Sequence, residues 1–138
     1  YLSISDLEKV ERLLPEALFP KAKHIITECA RVHEAATALQ AGDLESFGKL
    51  LNITHQSLSQ DYEVSCAELD FLTEKAQALD FVLGARMMGG GFGGCTLNLV
   101  KTSELEAFQA ALKSPYEKAF QKIPEFILVE ISEGARVL

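Results

Sequence analysis

No apolar run among the 138 residues approaches the roughly 20 that a membrane-spanning helix needs. The first residues carry no signal-peptide layout of basic segment, apolar stretch and small-residue cleavage site. Because the chain opens on Tyr1 and not on Met, it is expected to be an excerpt of a longer protein, so the missing leader is uninformative about the parent. Cysteine is scarce. Cys29, Cys66 and Cys95 are odd in number, widely spaced and outside any CxxC pattern. They argue against a disulfide framework or a zinc site and read as thiols of a reducing, cytoplasmic compartment. A basic stripe is missing too. The net charge is −7, with 14 acidic and 7 basic side chains in residues 1–80 and 6 of each in residues 81–138. Nucleic acid is therefore a poor partner, since affinity for a phosphate backbone depends on clustered Lys and Arg. Between Asp80 and Lys101 only Arg86 is formally charged, which leaves room for a local anion site.

What is present is an ordinary globular balance, 48% apolar and 24% charged, at a length that suits one domain with one core. The first two-thirds reads as helical. Ser5 and Asp6 open a short helix to about Leu14, with Pro15 and Pro20 after it. From Lys21, the residues Ile25, Cys29, Val32, Ala36 and Leu39 line one face of an amphipathic helix. Gly42 supplies the stop and Asp43 a cap for the next helix, whose stripe is Leu44, Phe47, Leu51, Thr54 and Leu58. A third helix starts at Ser65, with Ser65 and Glu68 as a capping box and Leu69, Leu72, Ala76 and Leu79 inward. Then the period changes. Phe81 to Met88 and Cys95 to Lys101 read as strands around a glycine run. Ser103 and Glu106 cap a helix carrying Leu105, Phe108 and Leu112, which Ser114-Pro115 is expected to break or restart. Phe126 to Ile131 reads as a last strand. Three helices followed by β-β-α-β predict an α+β sandwich, with a small antiparallel sheet and helices on one face.

The glycine run is the informative feature. Gly89, Gly90, Gly91, Gly93 and Gly94 fill five of the six positions 89–94 around Phe92. A hairpin turn needs one or two glycines at positive φ, and each superfluous one costs roughly 0.5–1 kcal/mol of chain entropy. Two physical reasons for a bare backbone are open: successive N–H groups forming an anion nest, or a chain segment too close for any Cβ. A flexible hairpin without a ligand is the bland alternative. The run is neither a GxGxxG dinucleotide fingerprint nor a Walker A loop, since no helix follows and no Gly-Lys-Ser/Thr ending is present. It offers no carboxylate for a metal or a general base, so at most the phosphate cradle of a phosphoryl-transfer site is visible.

Gly84-Ala85-Arg86-Met87-Met88-Gly89-Gly90-Gly91-Phe92-Gly93-Gly94-Cys95 resembles the third signature motif of the galactokinase, homoserine kinase, mevalonate kinase and phosphomevalonate kinase (GHMP) superfamily, in its galactokinase form. Asp61-Tyr62-Glu63-Val64-Ser65-Cys66-Ala67-Glu68-Leu69-Asp70 is similar to the galactokinase segment one helix upstream. Lys23-His24-Ile25-Ile26-Thr27-Glu28 resembles the family's Arg-His-Val-Val-x-Glu. Two positions depart from the pattern: Ala67 stands where Pro is usual, and Met88 where Thr is common. The resemblance implies a ferredoxin-like C-terminal domain with additional N-terminal helices, spanning 1–138 and packed against a separate N-terminal kinase domain. It implies that the glycine motif lies at the interdomain cleft near the ATP phosphates. ATP and Mg2+ would be bound mainly by that other domain, which would also supply the galactose-binding and catalytic residues. No Pro-x-x-x-Gly-Leu-Ser-Ser-Ser loop is present, so no catalytic residue is assigned here. The implied activity of the full protein is ATP-dependent phosphorylation of galactose to galactose 1-phosphate, with the fragment alone inactive. A non-catalytic sugar or ATP sensor, another kinase of the superfamily and a free-standing ferredoxin-like interaction module are the alternatives.

Outside the run, Arg86 reads first as a structural or interface salt bridge and second as a phosphate contact. Asp61 and Tyr62 read as packing and capping residues, with cleft lining as the second reading. His24, His33 and His55 read as packed or solvated. Phe92 is expected to plug a hydrophobic gap beneath the loop, with stacking on adenine as the alternative.

Overall fold

The computed structural model describes residues 2–131. A 3-10 turn at Ile4–Asp6 leads into α1 (Leu7–Leu13), followed by the long α2 (Phe19–Gln40). Pro20 sits in the first turn of α2, where its missing N–H has no intrahelical partner to lose. Gly42, at φ +71°, ends this segment, and Asp43 accepts the N–H of Ser46 at 2.9 Å to open α3 (Leu44–Gln60). Next come α4 (Ala67–Gln77), β1 (Val82–Met88), β2 (Cys95–Val100), a 3-10 turn at Thr102–Glu104 and α5 (Leu105–Phe120). No helix is long and apolar enough to cross a membrane among the described residues.

β1 and β2 form an antiparallel pair, with Arg86 opposite Leu97 and Met88 opposite Cys95. Helices α3 and α4 pack on β1, and α5 packs on α4. Ala76, Ala85, Phe108 and Leu112 form the buried centre, surrounded by Leu72, Phe81, Val100 and Phe126. The arrangement is the α+β sandwich with a small antiparallel sheet that the residue pattern predicts.

Three local expectations are corrected. Neither capping box forms. Cys66 is the N-cap of α4, and the Ser65 hydroxyl turns instead to Asp70; Glu104 caps α5, and Ser103 reaches only Glu104. Ala67 occupies the first helical position of α4, a place where Pro and Ala are equally admissible. Pro115 lies inside α5, which runs on to Phe120. The lost backbone bond is offset by burial of Leu112 and Tyr116 and by an aromatic group in which Phe71 meets Tyr116 and Phe120 at 6.3 and 5.3 Å.

Phe126 to Ile131 is not a strand, and the sheet has two strands among the described residues. Phe126 alone docks, edge-on to Phe108 at 6.1 Å, while Ile127, Leu128, Val129 and Ile131 are exposed. Strand propensity alone does not make a strand. The outer edge of β1 is closed to pairing, because Asn52 accepts the Ala85 N–H at 2.8 Å and His55 accepts that of Met87 at 3.2 Å.

The apolar face read along α2 is present, and its direction is decided by the fold. Its regular apolar face, Ile25, Cys29, Val32, Ala36 and Leu39, points outward and is exposed. The inward side is mixed: Ile26 and Ala38 are buried, buried His24 meets Ser57 at 3.0 Å, and Glu28 accepts from Thr54 at 3.0 Å.

Candidate functional site

The candidate site is the β1–β2 turn, and its position begins with two glycines. A β-carbon at Gly84 would lie 2.2 Å from the Gly48 carbonyl oxygen, and one at Gly48 would lie 2.1 Å from that of Leu83. Side chains at either place would push β1 off α3. The strand thus runs against the helix backbone, where Asn52 and His55 hold its free edge and Gln77 donates to the Ala85 carbonyl at 2.9 Å. Asn52 and His55 are three apart on α3 and so share a face. Nothing in the sequence pairs them with a strand thirty residues on, which is why sequence reading missed them.

Beyond β1, Gly89, Gly91, Gly93 and Gly94 have φ of +80°, +84°, +140° and +94°, and Phe92 has +58°. Four of the five glycines are therefore required by backbone conformation alone. The premise that a hairpin needs only one or two fails here, because the chain stays left-handed from 91 to 94. Close approach also operates, at one point. A β-carbon on Gly91 would lie 2.0 Å from the Val64 carbonyl oxygen, which accepts the Phe92 N–H at 2.7 Å. The turn is pinned to the α3–α4 connection, and the Phe92 amide is already engaged. Gly89, Gly90, Gly93 and Gly94 face open space, with no atom within 4 Å of an added Cβ. Gly90 alone in the run has neither a positive φ nor a close neighbour.

Phe92 does not plug a gap beneath the loop. It is 76% exposed, held outward by its left-handed backbone. Met88, the last residue of β1, is exposed beside the turn. Arg86 turns away toward α2, with its Nη1 3.9 Å from Glu28 and its Nε donating to the Met87 carbonyl at 3.0 Å. Glu28 also pairs with Arg31, so two guanidinium groups share one carboxylate.

Asp61 caps the end of α3, accepts from Ser57 at 2.9 Å and faces Lys23 at 3.5 Å. Tyr62 stacks on His24 with ring centroids 4.6 Å apart. The structure brings Asp61, Tyr62 and His24 together next to the connection that holds the turn, and leaves His33 exposed on α2.

Burial pushes the pKa of both packed histidines below the usual imidazole value. At His24 it outweighs the opposing fields of Glu28 and Asp61; at His55 it outweighs Asp70, and Arg86 adds to the lowering. The geometry agrees. His55 Nδ1 accepts the Met87 N–H, so the ring is neutral with its proton on Nε2, facing Asp70 at 3.2 Å and Thr73 at 2.6 Å. Among the described residues no three His, Cys, Asp or Glu side chains are grouped to hold a metal. The turn is open and carries no carboxylate, so nothing on it repels an approaching polyanion.

The family model described as GHMP kinases C terminal matches residues 35–118. Galactokinase of Streptococcus thermophilus is 45% identical over 118 residues, covering 86% of this chain and 30% of that protein. Galactokinase of Enterococcus faecalis is 43% identical over 138 residues, covering 99% and 36%. Among solved structures, Lactococcus lactis galactokinase complexed with galactose superimposes with a TM-score of 0.85 at 42% identity, over 88% of this chain and 32% of that one. L. major mevalonate kinase in complex with R-mevalonate gives a TM-score of 0.64 at 30% identity, over 84% and 34%. The chain spans about a third of the length of the curated relatives it matches.

Proposed function

Because the chain belongs to the GHMP kinase C-terminal family, we propose that residues 1–138 are the C-terminal domain of a galactokinase, packed in the full protein against an N-terminal kinase domain. The likeness to galactokinases over nearly the whole chain carries this reading. The full protein phosphorylates galactose at its anomeric hydroxyl, with ATP supplying the phosphoryl group, in the cytoplasm.

In this reading the 138 residues form one wall of the interdomain cleft. The backbone of Gly89, Gly90, Gly93 and Gly94 would line the phosphate side of ATP, and the openness around their Cα atoms is what supports it. Gly91 and the Phe92 amide serve the wall differently, by tying it to Val64. Exposed Phe92 is free to contact a ligand or the partner domain. Arg86 and Asp61 act through packing: their charges are committed to Glu28 and Lys23. In this reading Mg2+ and the catalytic groups belong to the N-terminal domain. The role of this wall is to present fixed backbone dipoles where negative charge develops, without side chains that would block approach.

The test is sugar-dependent ADP release by the full-length protein with galactose, other hexoses, mevalonate and homoserine. Release with galactose alone is the expected result. Release with another substrate would keep the family and replace the substrate. Sugar binding without release from any of them would make the protein a sensor.

A further inference from the structure

Helix α2 turns its most regular apolar stripe away from the domain that carries it. Its inner flank holds buried Ile26 and Ala38 beside polar contacts, where His24 meets Ser57 and Glu28 meets Thr54 and Arg31. A second apolar flank is outside. Ile25, Val32 and Leu39 are 49%, 60% and 48% exposed, and Cys29 and Ala36 between them are exposed as well. The spacing of these five is 4, 3, 4, 3, the seam of a helix that packs lengthwise against another helix. The small residues Cys29 and Ala36 alternate with the branched Ile25, Val32 and Leu39, giving holes between knobs.

We infer that this seam is an intramolecular docking site for an apolar-faced helix of the same kinase polypeptide, one that lies outside the 138 residues. The inference rests on the reading of the chain as part of a longer kinase, for which the relatives supply the length. The chain covers only 30–36% of them, so roughly two-thirds of such a polypeptide lies elsewhere. Area selects the covalent partner over a second copy. Five residues along one helix, none more than 60% exposed among the large ones, fall short of the about 800 Å² per partner that a stable complex between free chains buries. A tethered helix needs far less, because the linker holds it at an effective concentration of about millimolar. The residues flanking the seam include Ile26, His33 and Gln40 on one side and Glu28 and Ala35 on the other. Only Glu28 among them is acidic, and it is engaged by Arg31 and Arg86. No charge pattern there selects a partner in solution.

Cys29 is the reporter, since it sits at the centre of the seam. The measurement is the rate of maleimide labelling at each cysteine of the full-length protein, native and unfolded, followed by peptide mass spectrometry. Labelling of native Cys29 at least about tenfold slower than in the unfolded chain, independent of protein concentration, is the expected result. Native Cys29 reacting at the unfolded rate would overturn the inference. Protection that disappears on dilution would also overturn it, because a second copy would then be the cover. In Val32→Asp, a charge in the seam is expected to return Cys29 toward the unfolded rate; a folded variant with Cys29 still protected would place the cover elsewhere. ADP release on the same sample separates the two readings. Protected Cys29 without ADP release on galactose, other hexoses, mevalonate or homoserine upholds the seam and defeats the kinase assignment, and ADP release with a freely labelled Cys29 does the reverse.

Discussion

At position 91 a β-carbon would sit 2.0 Å from the Val64 carbonyl oxygen, on a backbone already at φ +84°. Its neighbour Gly90 has neither constraint, so the pair separates conformational need from ligand need. Gly91→Val in the full-length protein is expected to displace the turn and, on the proposed function, cut turnover roughly a hundredfold, the scale of a misplacement of about 1 Å near reacting groups. Undiminished turnover in a folded variant would remove the turn from the site. Gly90→Ala should leave stability within about 0.5 kcal/mol. If the bare backbone there faces phosphates, the same variant loses ATP-dependent turnover while its unfolding midpoint stays put; full activity would show that position 90 has no ligand role.

The histidines give a pH dependence whose sign follows from their lowered folded pKa. Between the unfolded value of 6.5 and the lower folded value, the unfolded chain binds protons that the folded one refuses. Stability from this source is therefore complete above the unfolded pKa and lost as pH falls through the folded pKa values of His24 and His55. Urea midpoints at pH 7.5 and 5.5 should differ in that direction. The difference should shrink when both residues are replaced by Gln, and an unchanged difference would assign the slope to other groups.

At the scale of elements, β1 is held on α3 and α4 by side chains that substitute for a neighbouring strand. Asn52→Ala removes the acceptor of the Ala85 N–H, on a residue whose own exposure is 0%. An unsatisfied buried donor costs about 1–3 kcal/mol, and calorimetry or urea unfolding will show whether that loss occurs. Gly48→Ala and Gly84→Ala attack the same contact from its two sides. Backbone atoms 2.1 and 2.2 Å from the new carbons cannot swing away as a side chain would. Each is expected to cost roughly 2–4 kcal/mol, at or above the upper end of ordinary overpacking; a loss below about 1 kcal/mol would show that helix and strand can separate freely.

At the scale of the whole molecule, the turn is tied to Val64 and its strand is backed by α3 and α4, while much of α2 and the segment after α5 present apolar side chains to solvent. Such surfaces fit a domain that meets another. The 138 residues by themselves are expected to release no ADP with galactose; measurable turnover from this chain alone would contradict the proposed division of labour between two domains.

Local chemistry made much of this architecture readable from the residues. The helix periods, Gly42 and Asp43 at a junction, and the two strands around the glycine run depend on neighbours within a few positions, where spacing and backbone preference decide. The glycine block also carried the family likeness, because its backbone demands are written in residue type. What spacing could not decide was orientation. The stripe from Ile25 to Leu39 was visible as a face, but its outward direction depends on what α3 offers across the contact, namely Thr54 and Ser57. Pro115 stayed helical because aromatic contacts distant in sequence outweigh one missing hydrogen bond. Val64 beneath Gly91, Gly48 against Gly84, and His55 at the edge of β1 join residues 27 to 36 positions apart. Sequence determined the elements and the turn between them; tertiary structure alone decided what each face touches, because burial and close approach belong to pairs of segments that only folding brings together.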